Sequence, residues 1–144
     1  MSDNPDYMKR KTFVFERGNW LIKTKEVEPG IPALFVGNDQ QYNSRLKLAQ
    51  WMTDKQNPLT ARTMVNRLWE QLFGQGLVET LEDLGSQGIA PTHPELLDYL
   101  AYTFMEEDKW SIKKTLKRMV LSSTYKQSNT TSKEALEKDP LNKY

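Results

Sequence analysis

A chain of 144 residues has room for one hydrophobic core, and two full domains would be cramped. With 38% apolar and 27% charged residues, four Trp, six Tyr and five Phe, the composition excludes pure disorder. Twenty basic against nineteen acidic side chains leave a net charge of +1, which supplies no overall field for a polyanion or an anionic membrane. The lack of cysteine excludes disulfides, thiolate catalysis, cysteine-ligated zinc, iron–sulfur clusters and covalent haem attachment in this segment.

The opening Met1-Ser2-Asp3-Asn4-Pro5-Asp6 has no basic region followed by an apolar stretch, and no run approaches about 18 apolar residues. Neither a signal peptide nor membrane insertion is therefore expected. Residues 1–11 read as a disordered tail. Thr12 to Gly18 is rich in β-branched and aromatic residues and closes on glycine, which predicts one short strand without an obvious partner. From Asn19 to Asn38 the prolines Pro29 and Pro32, with Gly30 and Gly37, oppose a helix and predict an extended arm laid over a surface.

Four helices are expected next. The first, about Ser44 to Thr53, carries Leu46, Leu48, Ala49, Trp51 and Met52, and Asn57-Pro58 separates it from the second. That second helix, about Thr60 to Phe73, has a threonine cap, a buried stripe of Ala61, Val65, Leu68, Trp69, Leu72 and Phe73, and Gly74 as its stop. A turn-rich stretch follows from Gln75 to Pro91. The third helix opens at Thr92-His93-Pro94-Glu95, where Thr92 and Glu95 are placed to form a capping box, and it buries Leu96, Leu97, Leu100, Ala101 and Phe104 before ending near Glu107. Ser111 should cap the fourth, whose Ile112, Leu116, Met119 and Val120 oppose a basic face of Lys113, Lys114, Lys117 and Arg118. The expected fold is mainly α: a compact bundle of about four helices with an N-terminal short strand and extended arm. Residues 12–42 form the strand and arm and 43–128 the helical core. Residues 129–144 are a C-terminal segment whose last apolar run stops abruptly, as in a piece truncated from a larger protein.

Several ordered blocks carry a resemblance. They are Asn57-Pro58-Leu59-Thr60-Ala61-Arg62, Val65-Asn66-Arg67 with Trp69, Phe73-Gly74-Gln75-Gly76-Leu77-Val78, Asp83 to Gly88, Pro91 to Asp98, Ser122 to Ser128 and Asp139-Pro140. Together with Arg17-Gly18-Asn19 and Val27 to Pro32 upstream, they make roughly residues 12–142 resemble the C-terminal domain of planctomycete cytochrome c proteins. The resemblance implies a domain of unknown function at the end of a long exported polypeptide. Its partners would be other domains of that polypeptide, and its setting extracytoplasmic, periplasmic or secreted. It implies no cofactor in this segment, although haem is possible on another domain of the full-length protein.

The candidate functional cluster is Arg62, Asn66, Arg67, Asp83 and His93. Arg62, Asn66 and Glu70 share a helix face and could order a ligand, or equally anchor the irregular Gln75 to Pro91 loop through its backbone. His93, the one histidine, could serve as a base or metal ligand, yet the capping logic around it is a sufficient structural explanation. No metal site is expected, because no further ligands are spaced to complete one. Glu82, Asp83, Glu95 and Asp98 could flank a cleft, or be turn chemistry and solvated surface. The basic face could meet phosphate, an acidic polysaccharide or an acidic partner, and is also what any amphipathic surface helix displays.

Three functions compete on these grounds. The first is an interaction or co-catalytic module that packs against other domains and so exposes an apolar patch. An enzyme domain acting on an extracellular polysaccharide-type substrate would instead need Arg62, Asn66, Asp83 and His93 to converge. Nucleic-acid binding is opposed by the near-neutral charge and the lack of clustered base-reading residues.

Overall fold

The computed structural model describes residues 5, 8, 10–36, 44–128, 130–141 and 143. Expectations for the rest of the N-terminal tail and for the arm's end at Gly37 and Asn38 fall outside these residues. Among them lie two strands, β1 (Thr12–Glu16) and β2 (Asn19–Val27). There are six helices: α1 (Ala33–Val36), α2 (Arg45–Met52), α3 (Thr60–Phe73), α4 (Pro94–Glu106), α5 (Ile112–Leu121) and α6 (Lys133–Lys138). The mainly helical class holds, with more helices than expected. The chain divides into two compact units after Asn57, so α2 belongs to the first.

The first strand has a partner after all, and the first half of the expected arm supplies it. β1 and β2 pair antiparallel, Thr12 opposite Val27 and Glu16 opposite Asn19, with irregularities between Phe13 and Glu16. Arg17 and Gly18 make the two-residue turn, both at positive φ (47° and 76°), the combination whose twist suits a tight hairpin. Glycine accepts that conformation without penalty, and Arg17 tolerates it within the turn. Thr24 Oγ1 donates to Val14 O, Lys11 pairs with Glu26, and the Lys23 ammonium sits 5.3 Å from the Phe13 ring centroid. The prolines predict an extended arm from Asn19, but Pro29 and Pro32 lie beyond β2, where they interrupt no ladder. The short α1 starts directly after Pro32, with Phe35 N–H donating to Pro32 O. Ser44 caps α2, its Oγ accepting from Lys47 N–H, and Trp51 lies against Phe35 at 6.0 Å between ring centroids.

In the second unit α3 packs along α4 and, more sparingly, on α5. Their stripes enclose Ala61, Val65, Leu97, Leu100, Ala101, Phe104 and Met119, with Leu77 and Val78 closing the core from the loop. Gly74 ends α3 in the left-handed region, and Glu107 is the residue at which α4 stops. On α5 the buried positions are Thr115 and Met119, while Ile112, expected inside, is exposed.

Three caps differ from expectation. Leu59 occupies the N-cap of α3, so Thr60 is its first helical residue. The Thr92–Glu95 capping box does not form, because α4 begins at Pro94 with His93 at its N-cap and no side-chain cap bond, while Thr92 turns to Leu77 instead. Ser111 stands at the N-cap of α5 without a side-chain bond. The unforeseen α6 has no buried residue to give it a periodic signal. Ser132 caps it through Ala135 N–H, and Lys138 pairs with Glu134 one turn away.

Candidate functional site

Asn66 is the centre of the predicted cluster, and only 1% of its surface is exposed. Its Nδ2 donates to Val78 O and its Oδ1 accepts from Val78 N–H, both at 2.9 Å. One amide side chain on α3 thus satisfies both backbone groups of a core loop residue, as the anchor reading of the sequence required. The Leu77–Val78 peptide is also held on its carbonyl side, since Thr92 N–H donates to Leu77 O at 2.8 Å and Thr92 Oγ1 to the same oxygen at 3.3 Å. Asn66 and the start of α4 therefore meet at Leu77-Val78. Gly76 permits that approach: a Cβ there would lie 2.6 Å from Val78 O and 3.0 Å from the Asn66 amide.

The other candidates are placed as follows. Arg62 Nε donates to Asp98 Oδ1 and its Nη1 to Pro58 O, both at 2.6 Å, tying α3 to α4 and to its own entry turn. Asp83 Oδ1 accepts from Gly85 N–H at 2.7 Å, and Thr80 Oγ1 donates to Asp83 O, so this residue organises its own turn. His93 is half-buried, with Nδ1 3.1 Å from Thr92 Oγ1. Arg67 is exposed on the helix. The bonds bring Asn66 and Thr92-His93 to one loop segment and leave Asp83 and Arg67 outside that contact.

A second polar centre escaped sequence reading. Asp108, 4% exposed, follows α4 in the charged run Glu106-Glu107-Asp108-Lys109, which looks like solvated surface. Thr115 Oγ1 donates to its Oδ2 at 2.8 Å and Arg118 Nη2 to its Oδ1 at 3.0 Å, while the same Arg118 nitrogen reaches Glu107 at 2.9 Å. Arg118 is therefore partly buried and paired, a correction to its place on a fully solvated basic face. Burial pushes the Asp108 carboxyl up, but the bonds from Arg118 and Thr115, with the charges of Arg118 and Lys114, outweigh it and hold the group below the ordinary carboxylate range. Arg118 is raised in turn, chiefly by its bond to Asp108. The linking backbone enters the left-handed region at Lys109 and Trp110 (φ 52° and 61°), where Trp110 N–H bonds Phe104 O and the Trp110 ring meets Phe104 edge-on at 5.1 Å. The available signal was the spacing of Thr115 and Arg118, which flank the core turn leading to Met119.

Beside this centre lies an open cleft of about 570 Å³ formed by α3, α4 and α5. Trp69, Leu96, Leu100 and Met119 make its apolar base, and Lys114, Lys117 and Arg118 stand along it. None of the lining residues is acidic. Among the described residues there is no group of three or more His, Cys, Asp or Glu side chains able to hold a metal, and no helix long and apolar enough to cross a membrane.

No match to the chain was found among curated proteins or among solved structures. A family does match over residues 44–144, which takes in α2 to α6, the Asn66 clamp, the Asp108 centre and the cleft, and leaves the hairpin outside. The chain is a member of PSD1, a family of proteins of unknown function (DUF1553).

Proposed function

We propose that the chain is an interaction module within a larger exported polypeptide, and that its N-terminal hairpin is the surface that engages other domains of that polypeptide. One observation carries this reading: the hairpin's apolar side chains stand in water on both of its faces. Trp20 is 71% and Leu21 69% exposed, and by strand alternation they point to opposite sides. Val14, Phe15 and Ile22 are exposed with them. A two-stranded hairpin is marginal in water without a layer over one face, and several large apolar side chains left exposed on one such element mark an interaction site. The resemblance to the C-terminal domain of planctomycete cytochrome c proteins supports the choice of partner and an extracytoplasmic setting. A cytochrome-c-like domain is the partner that resemblance favours, and any haem would belong to it.

A photo-activated cross-linking residue at Leu21 in the longer polypeptide tests this. Cross-links to a neighbouring domain are expected, and they should be lost when Trp20 is changed to serine. Cross-links confined to residues 1–144 would overturn the reading.

A further inference from the structure

The cleft between α3, α4 and α5 lies in a different unit from the hairpin, and its chemistry is independent of the interaction reading. Its base is aliphatic and aromatic: Leu100 and Met119 are core residues, and Trp69 and Leu96 are packed against that core. Its exposed wall carries Lys114 and Lys117, three residues apart on α5 and so neighbours on the helix surface. Arg118 is engaged by Glu107 and Asp108. Neither lysine forms a direct ion pair among the described residues; the Lys114 charge acts on Asp108 from a distance, and no acidic side chain lines the cleft.

An apolar base bordered by two cations, with no carboxylate in the lining, selects for a ligand of matching halves. We infer that the cleft binds a small amphipathic anion, whose apolar body lies on Trp69, Leu96, Leu100 and Met119 and whose carboxylate, sulfonate or phosphate head sits between Lys114 and Lys117. The size fits, since small-molecule sites of this kind span roughly 300–1,000 Å³. A sugar or a nucleotide base fits less well, because beyond the lysines and Arg118 the lining offers few hydrogen-bonding groups, chiefly the hydroxyls of Tyr99, Ser122 and Thr124. A protein segment is also disfavoured, because a stable protein contact buries on the order of 1,000 Å² and this cleft is the size of one small molecule.

Titration of the 144-residue chain with octanoate and with octanol, followed by calorimetry and proton–nitrogen correlation spectra, separates the possibilities. Octanoate should bind with shifts confined to α4, α5 and the end of α3, and octanol roughly tenfold more weakly, since it keeps the apolar body without the charge. The variant Lys117→Glu changes one exposed side chain whose charge does not act on Asp108, and should leave the thermal transition in place while weakening octanoate by roughly tenfold. Leu121→Asp, at an exposed apolar position of the lining, should weaken both ligands. Equal binding of the two ligands, shifts at the hairpin instead of the cleft, or no binding at all would overturn the inference. So would a helical acidic amphipathic peptide that shifts the cleft when octanoate does not.

Discussion

The two units of the chain use their apolar residues in opposite ways. In the unit from Pro58 onward, Val65 and Phe104 are fully enclosed, and the Trp110 and Phe104 rings meet edge-on. In the unit up to Asn57, Trp20, Leu21, Leu34 and Leu46 face water. Local preference is equally good in both, since the hairpin has a well-formed tight turn and α2 a good serine cap. What differs is the number of layers. Three helices and a clamped loop enclose a volume, whereas among the described residues the two-stranded sheet keeps its largest apolar side chains exposed. Secondary structure is thus cheap where strand pairing or a cap suffices, and burial needs a second layer that the hairpin does not supply for itself.

Changes in the helical unit should therefore cost the most. Phe104→Ala empties the centre of the core and should destabilise the unit by about 3–5 kcal/mol, read from urea unfolding followed by helical circular dichroism. Asn66→Ala removes a side chain whose loss strands the N–H and the C=O of Val78 inside the core, and about 2–4 kcal/mol is expected in the same assay. A loss under about 0.5 kcal/mol would mean that Thr92 alone suffices to hold the loop, and the clamp would lose its importance.

These two positions also show how far the sequence could be read. The stripes of α3 and α4 were legible because apolar residues recur every three or four positions, and Phe104 followed from that periodicity. Asn66 was legible as an anchor because an irregular loop must satisfy its backbone, though the identity of its partner was not. Thr92 read as a cap from its spacing to Glu95, and went instead to a carbonyl fifteen residues away that local sequence does not reveal. The hairpin was half read: the first strand is a continuous run of β-branched and aromatic residues, while in β2 Trp20, Ile22, Thr24 and Val27 are interleaved with Lys23, Lys25 and Glu26 and run on to Pro29, which hides the strand within an apparent arm. Asp108 was hidden because burial of a charge depends on Thr115 and Arg118 arriving from the next helix.

That buried charge gives the next largest effect. Asp108 titrates lower in the folded chain than in the unfolded one, so its stabilising contribution is complete above the ordinary carboxylate value, about pH 4, and is lost as pH falls through the lowered folded value. Asp108→Asn should flatten that part of the stability–pH curve and cost about 1–3 kcal/mol at neutral pH, where Arg118 loses its buried partner. A variant curve parallel to the parent below pH 4 would show that the acid sensitivity lies elsewhere.

The smallest effect is expected at Trp20, and it bears most directly on the contrast between the units. A side chain left mainly in water contributes little to folding, so Trp20→Ser should change the urea midpoint by less than about 0.5 kcal/mol equivalent. Hydrogen exchange should agree, with β1 and β2 amides exchanging fast and those of α3 and α4 among the slowest. If the hairpin amides were as protected as the helices, or if Trp20→Ser cost more than about 1 kcal/mol, the hairpin would already be covered within the chain. The surface assigned to a neighbouring domain would then be spoken for. A neutral substitution with fast exchange leaves the largest apolar side chain of the hairpin without a folding role, and that is the position a partner contact would explain.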